Sequence, residues 1–188
     1  MVPNKKDILN NVLDLLLSVK WTQKITASHY DRLSRYDTTV KWVRVVATIL
    51  SSGSVASLFA WDTLAGKISA MLGTLLFTMI EIVTNKFSLD QNRVLLFNAK
   101  EDLWDISFEL TILARCVKSS QNNNDLSLLH KQYLEILNKV EKVQKTLPSA
   151  SKRDISDSSY AINRKHDDNN WENEENMLPP DLRNFTKE

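Results

Sequence analysis

The chain has 188 residues, a formal net charge of +1 and 43% hydrophobic residues, values that suit one ordinary domain and exclude neither a soluble protein nor a membrane one. Its single cysteine, Cys116, does exclude an intrachain disulfide and a cysteine cluster for zinc. No proline lies between Pro3 and Pro148, so residues 4–147 read as nearly continuous helix and the fold class as all-α.

The first segment, residues 1–44, begins with an apolar stripe of Leu9, Val12, Leu16 and Val19. Asn10, Asn11 and Asp14 interrupt the run "ILNNVLDLLLSV", which fits an amphipathic helix better than a cleavable secretory signal. Then "KWTQKITASHYDRLSRYDTTVKWVR" interleaves basic residues with Trp21, Tyr30, Tyr36 and Trp42. Placed directly before an apolar run, this composition anchors against anionic lipid headgroups, and no specific nucleic-acid binding is expected of it.

Residues 45–85 are expected to form a transmembrane helical hairpin. The run "VVATILSSGSVASLFAW" has 17 residues without a charge, and "ISAMLGTLLFTMIEIV" has 16 with one carboxylate, Glu81. As helices they span about 25 and 24 Å, short but adequate for a hydrocarbon core of about 30 Å. A soluble bundle helix needs a polar face, which the first run lacks apart from Ser and Thr. Trp42 and Arg44 before the first run, Trp61 after it and Lys86 after the second are the expected interface anchors. Basic residues flank the hairpin while the connection "DTLAGK" carries only Asp62 and Lys67, so both termini are expected in the cytoplasm. Small residues recur four apart as Ala47/Ser51, Ser52/Ala56/Ala60, Gly53/Ser57, Gly66/Ala70 and Ser69/Gly73, and supply faces for close helix packing. Ser51, Ser54, Thr74 and Glu81 are the candidates for lining or gating a wet path, with Glu81 alternatively snorkelling to the cytoplasmic interface.

Residues 86–147 show a more regular pattern. Leu96, Ala99, Leu103, Ile106, Leu110, Leu113 and Val117 follow three-four spacing, and after "SSQNNND" so do Leu126, Leu129, Tyr133, Ile136, Val140, Val143 and Leu147. Two cytoplasmic helices of coiled-coil character joined by a polar turn are expected. Leu96, Leu103, Ile106, Leu110, Tyr133 and Val140 mark a seam used either within a bundle containing the N-terminal helix or between copies. Lys118 and Asp125 fit helix termination and capping at that turn. Past Pro148, residues 148–188 are rich in Ser, Asn and charge, with nine acidic and six basic residues, and are expected to be disordered or to fold only on binding. Trp171, Met177, Leu178, Leu182 and Phe185 form a sparse apolar set within that tail, of the kind a docking motif uses.

No catalytic constellation is visible. His29, His130 and His166 are scattered, and no H-E-x-x-H, phosphate loop or dinucleotide fingerprint occurs, so neither enzyme activity, cofactor nor metal is expected.

The order of parts, with "NKFSLDQNRVLLFNAKEDLWDISFEL" after the second apolar run and Ala99 and Trp104 in the following helix, resembles the SLATT family over about residues 5–147. Gln91, Asn92 and Arg93 stand where a His/Lys-Arg pair is expected from that family. The resemblance implies bacterial two-transmembrane proteins of the inner membrane that act as pore-forming effectors in anti-phage conflict, partnered with a nucleotide-second-messenger synthase, a sensor or a reverse transcriptase. The expectation is therefore an effector that binds membrane lipid, forms a homo-oligomer and permeabilises the membrane when triggered. A non-conducting membrane adaptor and a soluble helical interaction module are the alternatives.

Overall fold

The computed structural model describes residues 4–60, 64–87, 89–163 and 177–183. Its elements are five helices: α1 (Lys5–Ala60), α2 (Leu64–Phe87), α3 (Leu89–Ser119), α4 (Asn123–Thr146) and α5 (Lys152–Asn163). No strand occurs among the described residues, in keeping with the all-α expectation. The chain divides into two compact units, Met1–Tyr30 with Leu95–Glu188 and Asp31–Val94, and the long helices α1 and α3 contribute to both. The expected border at residue 44 is therefore no break in the chain: α1 runs through it, because nothing from Lys5 to Ser52 interrupts helical geometry.

The first unit is built on the three-four stripes. Ile8, Leu9, Val12, Leu13, Leu16 and Val19 of α1 are buried with Leu103, Ile106, Leu110, Leu113 and Val117 of α3 and with Leu126, Ile136 and Val140 of α4. Each leucine so buried stabilises the fold by about 1.5–3 kcal/mol relative to an exposed one. The periodic seam is thus consumed inside one chain, as a bundle of α3 and α4 with the N-terminal part of α1. Lys5 fixes the end of that bundle by donating from Nζ to the carbonyls of Lys118 (2.8 Å) and Ser120 (2.7 Å). An ammonium there meets the carbonyls that a helix C-terminus leaves unpaired. At the start of α4, Asn122 occupies the cap position without a side-chain hydrogen bond, and Asp125 lies in the first turn, so its carboxylate acts through the helix dipole.

The tail departs from expectation. Within the segment read as disordered, Lys152–Asn163 forms α5, opened by a reciprocal cap in which the Asp154 carboxylate accepts from Ser151 N–H (2.8 Å) and Ser151 Oγ accepts from Asp154 N–H (3.3 Å). Ser158, buried, donates to the Asp154 carbonyl at 2.7 Å and reaches the Lys24 carbonyl of α1 at 3.3 Å. Further on, Met177, Leu178 and Leu182 are buried, the two leucines in the same core as α1, α3 and α4. This strap, Met177–Arg183, is held by Lys20 Nζ donating to the Met177 carbonyl (2.6 Å), by Lys118 Nζ donating to the Asp181 carbonyl (2.5 Å) and by the Arg115–Asp181 ion pair (3.0 Å). In these described segments, polar composition does not preclude order where two leucines join an existing core. Trp171 and Phe185 lie outside the described residues.

Candidate functional site

The second unit, Asp31–Val94, holds the apolar stretches. In α2, Leu64–Ile82 is 19 residues long with mean hydropathy 1.4, and only 12% of it is buried. It is the one helix among the described residues that is long and apolar enough to cross a membrane. Its rise is about 28 Å, close to the hydrocarbon thickness of about 30 Å. Leu64, Met71, Leu72, Met79 and Ile82 are all exposed, and Met71, Thr74, Leu75, Thr78, Met79 and Ile82 line an open groove of about 620 Å³. Thr78 donates to the Thr74 carbonyl at 2.8 Å, which satisfies the hydroxyl on an otherwise apolar surface.

In α1 the stretch before residue 50 is exposed in the same manner, with Trp42 68% and Ile49 65% exposed. Ser52 donates to the Thr48 carbonyl at 2.7 Å. The expectations for Trp61 fall outside the described residues, as do those for the side chains of Ser51, Gly53, Ser54, Ala56, Ala60, Ala70 and Lys86. Of the packing candidates that are described, Gly73 is buried, Gly66 half-buried and Ser52 exposed. Ala47 is also buried, so small residues occupy both of these enclosed places along the apolar stretches.

Two charged contacts join helices within the second unit. Arg44 of α1 meets Glu81 of α2 at 3.0 Å, with both side chains more than a third exposed. Asp37 of α1, buried, accepts from Arg93 of α3 at 2.5 Å and from Lys41 at 2.7 Å. Glu81, read from the sequence as a pore or interface carboxylate, is therefore a salt-bridge partner of the proposed anchor Arg44. Arg44 Nε is buried with no hydrogen-bond partner in the described structure. The Asp37–Arg93 bridge was not foreseen. Its signal, an acid among basic residues ahead of the first apolar run, has no spacing that identifies a partner 56 residues away.

The seam candidates lie in the first unit. Leu96, Leu103, Ile106, Leu110 and Val140 are buried and Tyr133 is half-buried. Burial raises the Tyr133 phenol above its usual value, with the Asp14 charge adding to the effect. No group of three or more His, Cys, Asp or Glu side chains placed to hold a metal occurs among the described residues.

Comparison with known proteins bears on the same arrangement. No curated protein and no solved structure matches the chain. The family model of the SMODS and SLOG-associating 2TM effector domain family 4 matches residues 9–175, which takes in α1 from Leu9 onward and the whole of α2, α3, α4 and α5. The exposed apolar α2 and the basic-aromatic segment of α1 both fall within the matched region, and the chain belongs to the SLATT family as a member of its SMODS and SLOG-associating 2TM effector domain family 4.

Proposed function

We propose that this membrane effector domain oligomerises and permeabilises the bacterial inner membrane, in a pore-like manner, when a partner or nucleotide signal triggers it. Family membership makes it a membrane effector associated with defence systems. The observation that carries the membrane reading further is the surface of α2, whose 19-residue apolar length is only 12% buried. At about 25 cal/mol per Å² of apolar surface, leaving such a helix in water is costly, whereas lipid tails solvate it. In this reading residues 45–85 form the two-helix hairpin, residues 86–147 lie on the cytoplasmic side with both termini, and the Arg44–Glu81 bridge sits near the cytoplasmic headgroup level. An ion pair there satisfies two charges that singly are expensive at the edge of the hydrocarbon.

The association of this family with SMODS and SLOG supports a partner that makes or senses a nucleotide signal; a reverse transcriptase partner belongs to the same proposal. The test is carbonate extraction of membranes followed by ion leakage from liposomes that contain the purified full chain, with and without its genomic partner. Retention in the membrane with partner-dependent leakage is expected. Full release by carbonate refutes membrane insertion, and insertion without leakage under either condition leaves a non-conducting adaptor.

A further inference from the structure

The apolar seam that the sequence offers for assembly is spent inside the first unit, so contact between copies has to use other surface. Two faces of that unit, both turned away from its core, have complementary character. On α3, Trp104 and Phe108 are 62% and 63% exposed, one helical turn apart, and Ile112 continues the stripe. Glu101 and Asp105 lie exposed beside them, so the aromatic face carries negative charge. Lys100 approaches Glu101 only at 3.7 Å, and both side chains remain substantially exposed. On α4, Lys131, Lys142 and Lys145 are exposed along the outer side with Leu128 and Leu134 at its edges; Glu135 and Glu141 are exposed there too, Glu141 lying 3.6 Å from Lys145. From Glu101 to Ile112 and from Lys131 to Lys145 the faces run about 17 and 21 Å, comparable lengths for one helix crossing another.

We infer that the acidic aromatic face of α3 in one copy packs on the lysine-leucine face of α4 in the next, a head-to-tail contact between identical chains; this rests on the oligomeric reading above. The commitment to a second copy comes from charge. An acidic face does not pair with itself, and it is repelled by an anionic lipid surface, yet the same chain displays a face on which lysines outnumber carboxylates. A contact between two different faces of one protein is heterologous. It propagates from copy to copy and closes into a ring when the rotation between copies allows. A ring is the form of assembly that a path through the membrane needs. The aromatic side chains fill the centre of the contact, where desolvated Trp and its neighbours contribute most, and the charges set register at the rim.

The experiment uses the full chain in detergent and in liposomes, in a Cys116→Ser background because Cys116 is exposed. Glu101→Cys and Lys131→Cys are made in separate chains and in one chain, and oxidised. The head-to-tail contact predicts a disulfide between the two single variants when mixed, none when either is alone, and a ladder beyond the dimer for the double variant. Charge variants provide the second arm. Glu101→Lys with Asp105→Lys should weaken association about tenfold or more, as should Lys131→Glu with Lys142→Glu, and mixing the two should restore it, since opposite charges face each other again. Cross-linking of Glu101→Cys with itself overturns the inference in favour of a two-fold contact. Wild-type oligomers that form without any of these effects overturn the inference while leaving the effector reading intact. A wild-type chain that stays monomeric in liposomes overturns both.

Discussion

Leu103 and Val140 are fully enclosed by side chains of α1, α3 and α4, which changes what substitution there reports. Leu103→Glu places a carboxylate in a dry core, so loss of the cooperative thermal transition is expected, rather than a smaller oligomer of folded chains. Leu103→Ala should cost about 2–5 kcal/mol in chemical denaturation, the range for a leucine cavity; a cost near zero contradicts the burial. Titratable residues around the strap set a pH signature. Hydrogen bonding from Arg115, then the charges of Arg115 and Lys118, hold the Asp181 carboxyl below its usual value. Its contribution is present above the ordinary carboxylate pKa and is lost as pH falls through the lower folded value. Lys20 gives a slope of the same sign at alkaline pH: burial first, then the Arg183 charge, depress its ammonium below the ordinary 10.5, so the unfolded chain binds more protons in that window. Stability should therefore rise as pH increases toward 10.5, and Lys20→Met should remove that rise in thermal melts. A wild-type slope retained in the variant assigns it to another group.

At the scale of elements, α3 and α4 were legible because an apolar residue every three or four positions leaves a helix no other way to bury one face. The strap was not, because Met177, Leu178 and Leu182 are too few and too close together to establish a period, and only the core decides that they are buried. Helix α5 did have a local sign: the serine and aspartate three apart at Ser151 and Asp154 are the two halves of a capping box. Composition outweighed it. Ser151→Ala should cost about 1 kcal/mol and speed amide exchange across α5 while leaving α3 protected. Leu182→Ala, which empties a fully enclosed position, should free the strap to exchange without unfolding the α3–α4 hairpin; equal deprotection of both makes the strap part of one cooperative core.

For the whole molecule, topology and the charged junction are the measurable consequences. Reporters fused at either terminus should be active only in the cytoplasm, as the basic residues flanking the apolar stretches require, and a periplasmic signal from either end rejects the hairpin. Arg44→Gln and Glu81→Gln should each reduce membrane-extracted thermal stability. The double variant should lose less than their sum, with a coupling of about 0.5–1 kcal/mol for a pair this exposed. Additive losses remove the bridge as a clamp. By itself the sequence determined the helical class, the 16-residue apolar run from Ile68 to Val83 and the amphipathic stripes, because these follow from spacing along the chain and from composition within a window, and the order of its parts carried the family resemblance. Only the tertiary structure decided that the stripes of α3 and α4 close within one chain, that Glu81 answers Arg44 and Asp37 answers Arg93, and that Leu178 and Leu182 join the core. Those outcomes depend on which surfaces meet across dozens of residues, and helical periodicity states that a face must be covered without stating what covers it.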